Sequence, residues 1–169
     1  MIKRTFSVRD KSIILQLYKS LVRPHLKYSV QAWRPHFRKD IDLLEGVQRR
    51  TTNLISTMKD ELYEDRLHFV NLTTLETRRL RGDLIEVFKI FKGFDNLDPS
   101  KFFDLSQAPT RGHSLKLIKP RCRLDIRKFS FAHRVIDIWN SLDDNIIACD
   151  SINGFKNRID KFLHGRGFV

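Results

Sequence analysis

The chain has 169 residues, of which 41% are hydrophobic and 31% are charged. This length excludes a large multi-domain enzyme and fits one domain or two small ones. The apolar content, which includes 13 Phe, excludes a chain that is disordered by composition. Lys and Arg number 32 against 20 Asp and Glu, so the formal net charge of +12 favours a polyanion as partner over a small acidic substrate.

The first 35 residues predict two helices. Ser7 with Asp10 has the form of a capping box, and apolar residues recur at helical spacing over positions 13–22. Pro24 predicts the start of a second helix, because proline suits the first turn of a helix but not its interior. Pro35 predicts the end of that helix.

Three further helices are predicted before residue 93. An apolar arc over residues 40–58 predicts the first of them, with Arg49 on the opposite arc. A short helix is predicted over residues 63–70. A second capping box at residues 73–76 precedes an apolar run that Gly93 ends.

The last 76 residues change character. Residues 94–112 lose the helical period and are rich in Gly, Pro, Asp and Ser, which predicts a connector. Alternating apolar residues near 115–118 and 124–126 predict two short strands joined by a turn. Helical spacing returns over residues 128–140 and again from Ser151.

The expected fold is mainly α, with six or seven helices and one small two-stranded β-ribbon. Residues 1–93 are expected to form a helical subdomain and residues 94–112 a connector. Residues 113–169 are expected to form a subdomain that combines the ribbon with two C-terminal helices.

Catalysis by this chain has little support in the sequence. Two-metal nucleotidyl transfer needs several converging carboxylates, but the only adjacent aspartates, Asp143 and Asp144, follow a predicted helix and are expected to lie in a solvated loop. The six histidines are scattered without metal-ligand spacing. The seven glycines are spread singly, so no phosphate-binding loop is indicated. We expect no catalytic residue, no metal site and no cofactor.

Membrane and compartment signals are also weak. The longest apolar run is the four residues 146–149, far below the roughly 20 that a membrane-spanning helix needs. The basic, amphipathic N-terminus lacks the apolar core of a signal peptide, so we interpret it as structure. Cys122 and Cys149 stand far apart and predict neither a disulfide framework nor a zinc module. A nuclear or cytoplasmic protein without a membrane partner is expected.

The basic residues are better organised than the acidic ones. Residues 111–134 hold eight Lys and Arg against the single acid Asp125. If the two strands form, Lys116, Arg123 and Arg127 point away from the apolar face and present a cationic ribbon to a phosphate backbone. The alternative is an ordinary solvated face.

A second basic cluster lies on the helix that ends before Gly93. Helical geometry places Arg78, Gly82 and Lys89 on one arc, opposite the apolar residues. A mid-helix glycine costs about 1 kcal/mol against alanine. Close approach of a nucleic-acid backbone to Gly82 would offset that cost, and so would close helix-to-helix packing.

A series of ordered motifs spans nearly the whole chain. The motifs are LVRPHLKY (21–28), QAW (31–33), KDIDLLEGVQRR (39–50), LTTLETRRLRGDL (72–84), TRGHSLKL (110–117), RLDIRK (123–128), RVIDIWNSL (134–142) and FKNRID (155–160). In this order they resemble the C-terminal part of the reverse transcriptase polyprotein of jockey-type non-LTR retrotransposons.

The resemblance implies the thumb and post-thumb region, which helps to hold RNA template and primer near the polymerase site. The aromatic-Ala-Asp-Asp signature of the family's catalytic palm does not occur in this chain. The Leu-Asp-Asp-Asn of residues 142–145 stands where relatives typically have Leu-Pro-Glu-Glu. The resemblance therefore implies a parent RNA-directed DNA polymerase that uses Mg²⁺, whereas this chain is expected to lack that activity.

Together, these observations predict a fragment that binds RNA or an RNA–DNA hybrid through a basic surface, with the missing palm as a possible second partner. The predicted phosphate contacts are Arg49, Arg78, Lys89, Lys116, Arg121, Arg123 and Arg127. The alternative is a non-catalytic structural or protein-interaction remnant of a decayed element.

Overall fold

A computed structural model describes residues 10–107 and 112–167, and this part of the chain is mainly helical. Helix α1 (Lys11–Leu17) continues through a π-helical turn (Tyr18–Val22) into α2 (Arg23–Lys27). The next helices are α3 (Arg38–Thr52), α4 (Tyr63–Val70) and α5 (Leu75–Phe91), with a 3₁₀ turn at Ser56–Met58.

After α5 the helices become short. A 3₁₀ turn at Pro99–Lys101 precedes four helices of four or five residues each and one longer C-terminal helix. They are α6 (Asp125–Lys128), α7 (Phe131–Arg134), α8 (Ile136–Asn140), α9 (Asp144–Ile147) and α10 (Ile152–Gly165).

The described residues divide into two compact units. The first contains residues 10–30 and 35–79, and the second contains residues 31–34 and the described part of 80–167. The division falls within α5, between Arg79 and Leu80, whereas composition had predicted it at the connector 94–112. Leu80 and the apolar residues after it on α5 pack with the C-terminal helices, as does Phe103 of the predicted connector.

The first unit has a small apolar core with a buried polar network beside it. The core residues are Ile14, Tyr18, Ile55, Leu67, Val70 and Leu72. The Tyr18 hydroxyl donates to Oε1 of buried Gln48 at 2.6 Å, and the Nε2 of Gln48 donates to the Thr73 carbonyl at 3.0 Å. The Tyr63 hydroxyl donates to Glu45. Burial raises the pKa of both tyrosines well above the ordinary value, so both hydroxyls remain protonated donors.

Glu45 fixes the start of α5. Its Oε2 accepts a hydrogen bond from the Leu75 backbone N–H at 2.8 Å. The first backbone N–H groups of a helix have no partner within the helix, and a carboxylate there also interacts favourably with the helix dipole. The Thr74 hydroxyl accepts from the Thr77 backbone N–H at 3.2 Å, so capping at this end begins one residue later than the predicted box at 73–76.

The second unit has a larger core built on aromatic rings. Trp139, Phe88 and Phe155 are fully buried. The rings of Phe88 and Phe155 stack with their centroids 4.2 Å apart, and Phe91 stacks on Trp139 at 5.9 Å. This core joins α5 to α8 and α10, so it positions the segment that lies between them in the sequence.

Buried Asp83 lies at the edge of this second core. It accepts hydrogen bonds from Arg34 Nη1 at 3.1 Å and from Arg134 Nε and Nη2 at 3.0 and 2.9 Å. Two guanidinium groups on one carboxylate leave this buried cluster with a net positive charge. The contacts hold residues 31–34 and α7 against α5.

The predicted two-stranded ribbon was wrong. Leu117 instead forms an isolated antiparallel bridge with Leu105, while Leu124 precedes α6. Leu117 is buried, but Leu124 and Ile126 are exposed, so the alternation at 124–126 does not reflect burial. Asp125 in the first turn of α6 favours the helical turn.

Three local predictions also differ from the structure. The helix predicted over 128–140 is divided into α6, α7 and α8. The aspartates expected in a loop lie at the start of α9, where Asp143 is the N-cap and Asp144 the first helical residue. Asp10 is itself the N-cap of α1 and accepts from the Ser12 N–H at 2.9 Å, while Ser7 of the predicted capping box lies outside the described residues.

Candidate nucleic-acid interface

Two of the predicted phosphate contacts belong to the first unit and five to the second. In the first unit Arg49 is exposed on α3, with its guanidinium 4.9 Å from the centre of the Tyr63 ring. Arg78 is half-buried on α5, and its Nε is buried without a hydrogen-bond partner. Of these two predicted contacts, therefore, only Arg49 presents its cation openly to solvent.

In the second unit two of the predicted cations are partly enclosed. Lys89 is half-buried, and its Nζ lies 3.5 Å from carboxylate oxygens of both Glu86 and Asp95. Lys116 is also half-buried and lies close to Gly112. Carboxylates neutralise Lys89 locally, so its charge is less available to a phosphate than that of a solvated arginine.

The structure brings the remaining three predicted cations into one exposed stretch. Arg121, Arg123 and Arg127 are all exposed, and none of them forms an ion pair within residues 10–107 and 112–167. We call residues 119–128 the basic segment. It carries five Lys and Arg against Asp125 alone, and Arg111 of the wider basic stretch lies outside the described residues.

Side chains of α7 and α8, together with the antiparallel bridge between Leu105 and Leu117, hold the basic segment and the residues before it. The Asn140 amide accepts from the Leu117 N–H and donates to the Leu117 carbonyl, both at 2.8 Å. Trp139 Nε1 donates to the Leu115 carbonyl at 2.7 Å. The backbone of Leu115 and Leu117 is therefore hydrogen-bonded to side chains of α8, and the arginine side chains that follow remain exposed to solvent.

His133 on α7 contacts the basic segment at two points. Its Nε2 lies 3.0 Å from the Pro120 carbonyl oxygen and its Nδ1 lies 3.1 Å from the Lys128 carbonyl oxygen. Both contacts are to backbone carbonyl oxygens, so the imidazole holds the segment near its start and at its end without involving the arginine side chains.

Lys119 and Lys128 complete the positive charge of the basic segment. Lys119 Nζ donates a hydrogen bond to the carboxylate of Asp137 on α8. This ion pair holds the start of the segment against α8. Lys128 is exposed, with its Nζ 5.5 Å from the centre of the Phe129 ring. The outward cations are therefore the three arginines and Lys128.

Two exposed apolar residues of this segment were wrongly predicted to be buried. Leu124 and Ile126 were predicted to face a core, but they are 68% and 83% exposed. Leu124 is the N-cap of α6 without a side-chain cap bond, and its carbonyl accepts from the Arg127 and Lys128 N–H groups. Alternating hydrophobicity alone cannot distinguish this arrangement from a half-buried strand.

Gly82 lies on α5 within the second unit. A Cβ atom placed on it would meet no heavy atom within 4 Å. Close helix-to-helix packing, one of the two explanations that the sequence left open, therefore does not account for this glycine. The space above Gly82 is open to solvent or to a ligand.

Asp143 and Asp144 are exposed at the start of α9. Among the described residues, no group of three or more His, Cys, Asp or Glu side chains is placed to hold a metal ion. These residues do not fit the Mg²⁺ that the family resemblance implies for the parent polymerase.

Comparison of the chain with protein-family models, with curated proteins and with solved structures finds no match. Across residues 10–107 and 112–167, no helix combines the length and apolar character needed to cross a bilayer.

Proposed function

We propose that this chain is a nucleic-acid-binding fragment of a non-LTR retrotransposon RNA-directed DNA polymerase and binds RNA or an RNA–DNA hybrid through the basic segment. The ordered motifs that resemble the thumb and post-thumb region support the parentage. The observation that carries the binding proposal is the exposure of Arg121, Arg123 and Arg127, which have no carboxylate partner among the residues that the structure describes.

The binding is electrostatic in origin. Arginine guanidinium groups match phosphate oxygens with paired hydrogen bonds and remain charged at any physiological pH. Arg49 is exposed and provides a further contact, whereas Lys89 already faces two carboxylates. Binding of this kind is tolerant of sequence and falls with salt, because each neutralised phosphate releases condensed counterions.

We do not assign nucleotide transfer to this chain. Among the described residues, no group of three or more His, Cys, Asp or Glu side chains is placed to hold a metal ion, and we assign polymerase activity and Mg²⁺ to the parent enzyme and its palm. A nuclear or cytoplasmic location agrees with an RNA-binding role.

A charge-reversal experiment tests this function. The variant combines Arg121→Glu, Arg123→Glu and Arg127→Glu, and the matched control combines Lys19→Glu, Lys39→Glu and Lys59→Glu. All six side chains are exposed, and the two variants change the net charge equally. Affinity for a labelled RNA and an RNA–DNA hybrid is measured by fluorescence anisotropy over a series of salt concentrations.

We expect the arginine variant to lose most of its affinity and to lower the salt slope by about two to three, at 0.7–0.9 per phosphate contact. The lysine control keeps most of its affinity. Equal losses in both variants would mean that net charge, not a defined site, governs binding. A wild-type chain without salt-dependent binding would refute the proposed function.

The second candidate is a protein-interaction module, for which the palm of the parent enzyme is one possible partner. Large hydrophobic side chains on the first unit favour it, because Tyr28, Phe37, Leu43 and Leu62 are each more than 60% exposed. Exposed apolar groups of this size are more typical of protein interfaces than of phosphate-binding surfaces. This candidate predicts no salt-dependent RNA affinity, so the same titration separates the two functions.

A further inference from the structure

The basic segment carries two aliphatic side chains that phosphate binding does not explain. Ile126, at 83% exposure, is the most exposed large hydrophobic residue among those described, and Leu124 is 68% exposed. Both lie between Arg123 and Arg127 in the sequence. Single exposed apolar residues are common on protein surfaces, but here two of them fall within the most basic stretch of the chain.

The fold does not require leucine at position 124. This residue is the N-cap of α6, where Ser, Thr, Asn or Asp would accept a hydrogen bond from the first turn, and Leu124 makes no such side-chain bond. Its carbonyl holds the turn through the Arg127 and Lys128 N–H groups, which any residue would allow. The exposed side chain is therefore available to a partner outside the fold.

We propose that the basic segment binds single-stranded nucleic acid, with its arginines on the phosphates and with Leu124 and Ile126 against the faces of unstacked bases. This inference rests on the proposed function and specifies its ligand. In a duplex the base faces are covered by neighbouring pairs, whereas a single strand exposes them for apolar contact. Guanidinium groups stack on planar rings and also form hydrogen bonds to phosphates. The arginines can therefore contact both the bases and the phosphates of a single strand.

The structure favours a nucleic acid over the other anionic partners. An anionic membrane is held by longer amphipathic helices, and α6 has four residues. A protein interface has an apolar core depleted of charge, whereas each of the two aliphatic residues is followed or preceded by an arginine. Single-stranded nucleic acid combines dense phosphate charge with accessible apolar faces, which is the complement of this segment.

Three labelled probes of equal length test the inference: a mixed-sequence single-stranded RNA, an abasic strand with the same number of phosphates, and a duplex. The variant combines Leu124→Ser with Ile126→Ser, and the control combines Leu43→Ser with Leu62→Ser, which are similarly exposed in the first unit. Circular dichroism checks that all three proteins are folded. Vesicles containing anionic lipid provide the membrane comparison.

We expect wild-type protein to bind the single-stranded RNA about tenfold more tightly than the abasic strand, near the lower end of base-stacking contributions. The Leu124 and Ile126 variant reduces this preference to less than about twofold, with an unchanged salt slope. The control keeps the full preference.

Two results would overturn the inference and leave phosphate binding intact: equal affinity for the RNA and the abasic strand, or tighter binding of the duplex. Tighter binding of anionic vesicles, lost in the same variant, would assign the two residues to a lipid surface and also overturn it. The absence of salt-dependent binding to every probe would instead refute the proposed function itself.

Discussion

Arg134 binds Asp83 through two hydrogen bonds, from Nε to Oδ2 at 3.0 Å and from Nη2 to Oδ1 at 2.9 Å. Asp83 is completely buried, and Arg34 shares it. Removing one member of a buried, hydrogen-bonded charge cluster leaves the other members without compensation. This carboxylate therefore stabilises α7, which in turn holds the basic segment through His133.

We expect Asp83→Asn to lower the free energy of unfolding of the second unit by about 3–5 kcal/mol, because two largely buried guanidinium groups lose the carboxylate that both of them bind. Denaturant unfolding followed by tryptophan fluorescence measures this, since Trp33 and Trp139 both belong to the second unit. The control is Asp160→Asn, which removes a half-exposed carboxylate that pairs with Arg81. We expect it to lower the free energy of unfolding by at most about 1 kcal/mol. Similar losses for both substitutions would contradict the assignment.

Glu45→Ala tests the cap of α5. We expect it to destabilise the first unit by about 2–3 kcal/mol, because the Leu75 N–H loses a charged acceptor and the Tyr63 hydroxyl loses its partner. Hydrogen exchange at Leu75 and denaturation followed by circular dichroism measure the loss. The matched control, Glu61→Ala, is exposed and changes stability by about 0.5 kcal/mol or less. Unchanged protection at Leu75 would show that Glu45 does not cap the helix.

Gly82→Ala is expected to stabilise the second unit by about 0.5–1 kcal/mol. The added methyl meets no atom within 4 Å, and alanine loses less conformational entropy in a helix than glycine does. Gly93 has a φ of +70°, so Gly93→Ala should destabilise the same unit by about 1–2 kcal/mol. Thermal unfolding of the two variants provides the comparison. A stabilised Gly82→Ala variant with weakened RNA affinity would place the nucleic-acid backbone at this glycine.

Acidification is expected to destabilise the second unit through His113. Burial lowers the pKa of this imidazole, and nearby Lys116 lowers it further, against opposing contributions from the Trp139 carbonyl and Asp144. Its Nε2 lies 3.0 Å from that carbonyl oxygen and its Nδ1 is buried without a partner, so the neutral form fits the fold.

Because the pKa is lower in the folded state, this stability is present above the unfolded pKa of about 6.5 and is lost as the pH falls below it. Tryptophan-detected unfolding between pH 7 and 5 measures the loss. His113→Gln should show a shallower fall with acidification than the wild type, and His68→Gln, at an exposed position, should follow the wild type. Parallel curves for His113→Gln and the wild type would refute the role of His113.

The purified chain is expected to add no nucleotides to a primed template in Mg²⁺ or Mn²⁺, since two-metal transfer needs converging carboxylates. Primer-extension assays check this, with an intact polymerase as the positive control. Extension that is abolished by Asp143→Asn together with Asp144→Asn would overturn both this expectation and the assignment of the two residues to the start of α9.

Helical spacing predicted the helices with a continuous apolar face and failed where polar side chains organise the chain. Ser151 and the apolar residues after it predicted α10, because its buried face repeats at helical spacing. Leu117 and Leu124 belong to the same alternating pattern, yet only Leu117 is buried. The backbone of Leu117 is held by the side-chain amide of Asn140, which is distant in the sequence. A local alternating pattern does not reveal such a contact.

The sequence was enough to predict which basic residues cluster in the candidate site, but not which side chains contact one another. Clustering of arginines in the sequence indicated Arg121, Arg123 and Arg127, which are exposed together in one segment. Neither the carboxylates around Lys89 nor the capping role of Glu45 could be inferred, since both depend on residues brought together only by the fold.

The bidentate contact of Asn140 with Leu117 has an evolutionary consequence. Residues that form a strand pair constrain one another, because a change on either strand alters the register of both. Apart from the bridge of Leu117 with Leu105, the basic segment and the residues just before it are held by amide and imidazole groups of α7 and α8 that bond to backbone atoms. The side chains of residues 121–127 can therefore change by mutation without loss of the fold, so selection can retune what this surface recognises independently of stability.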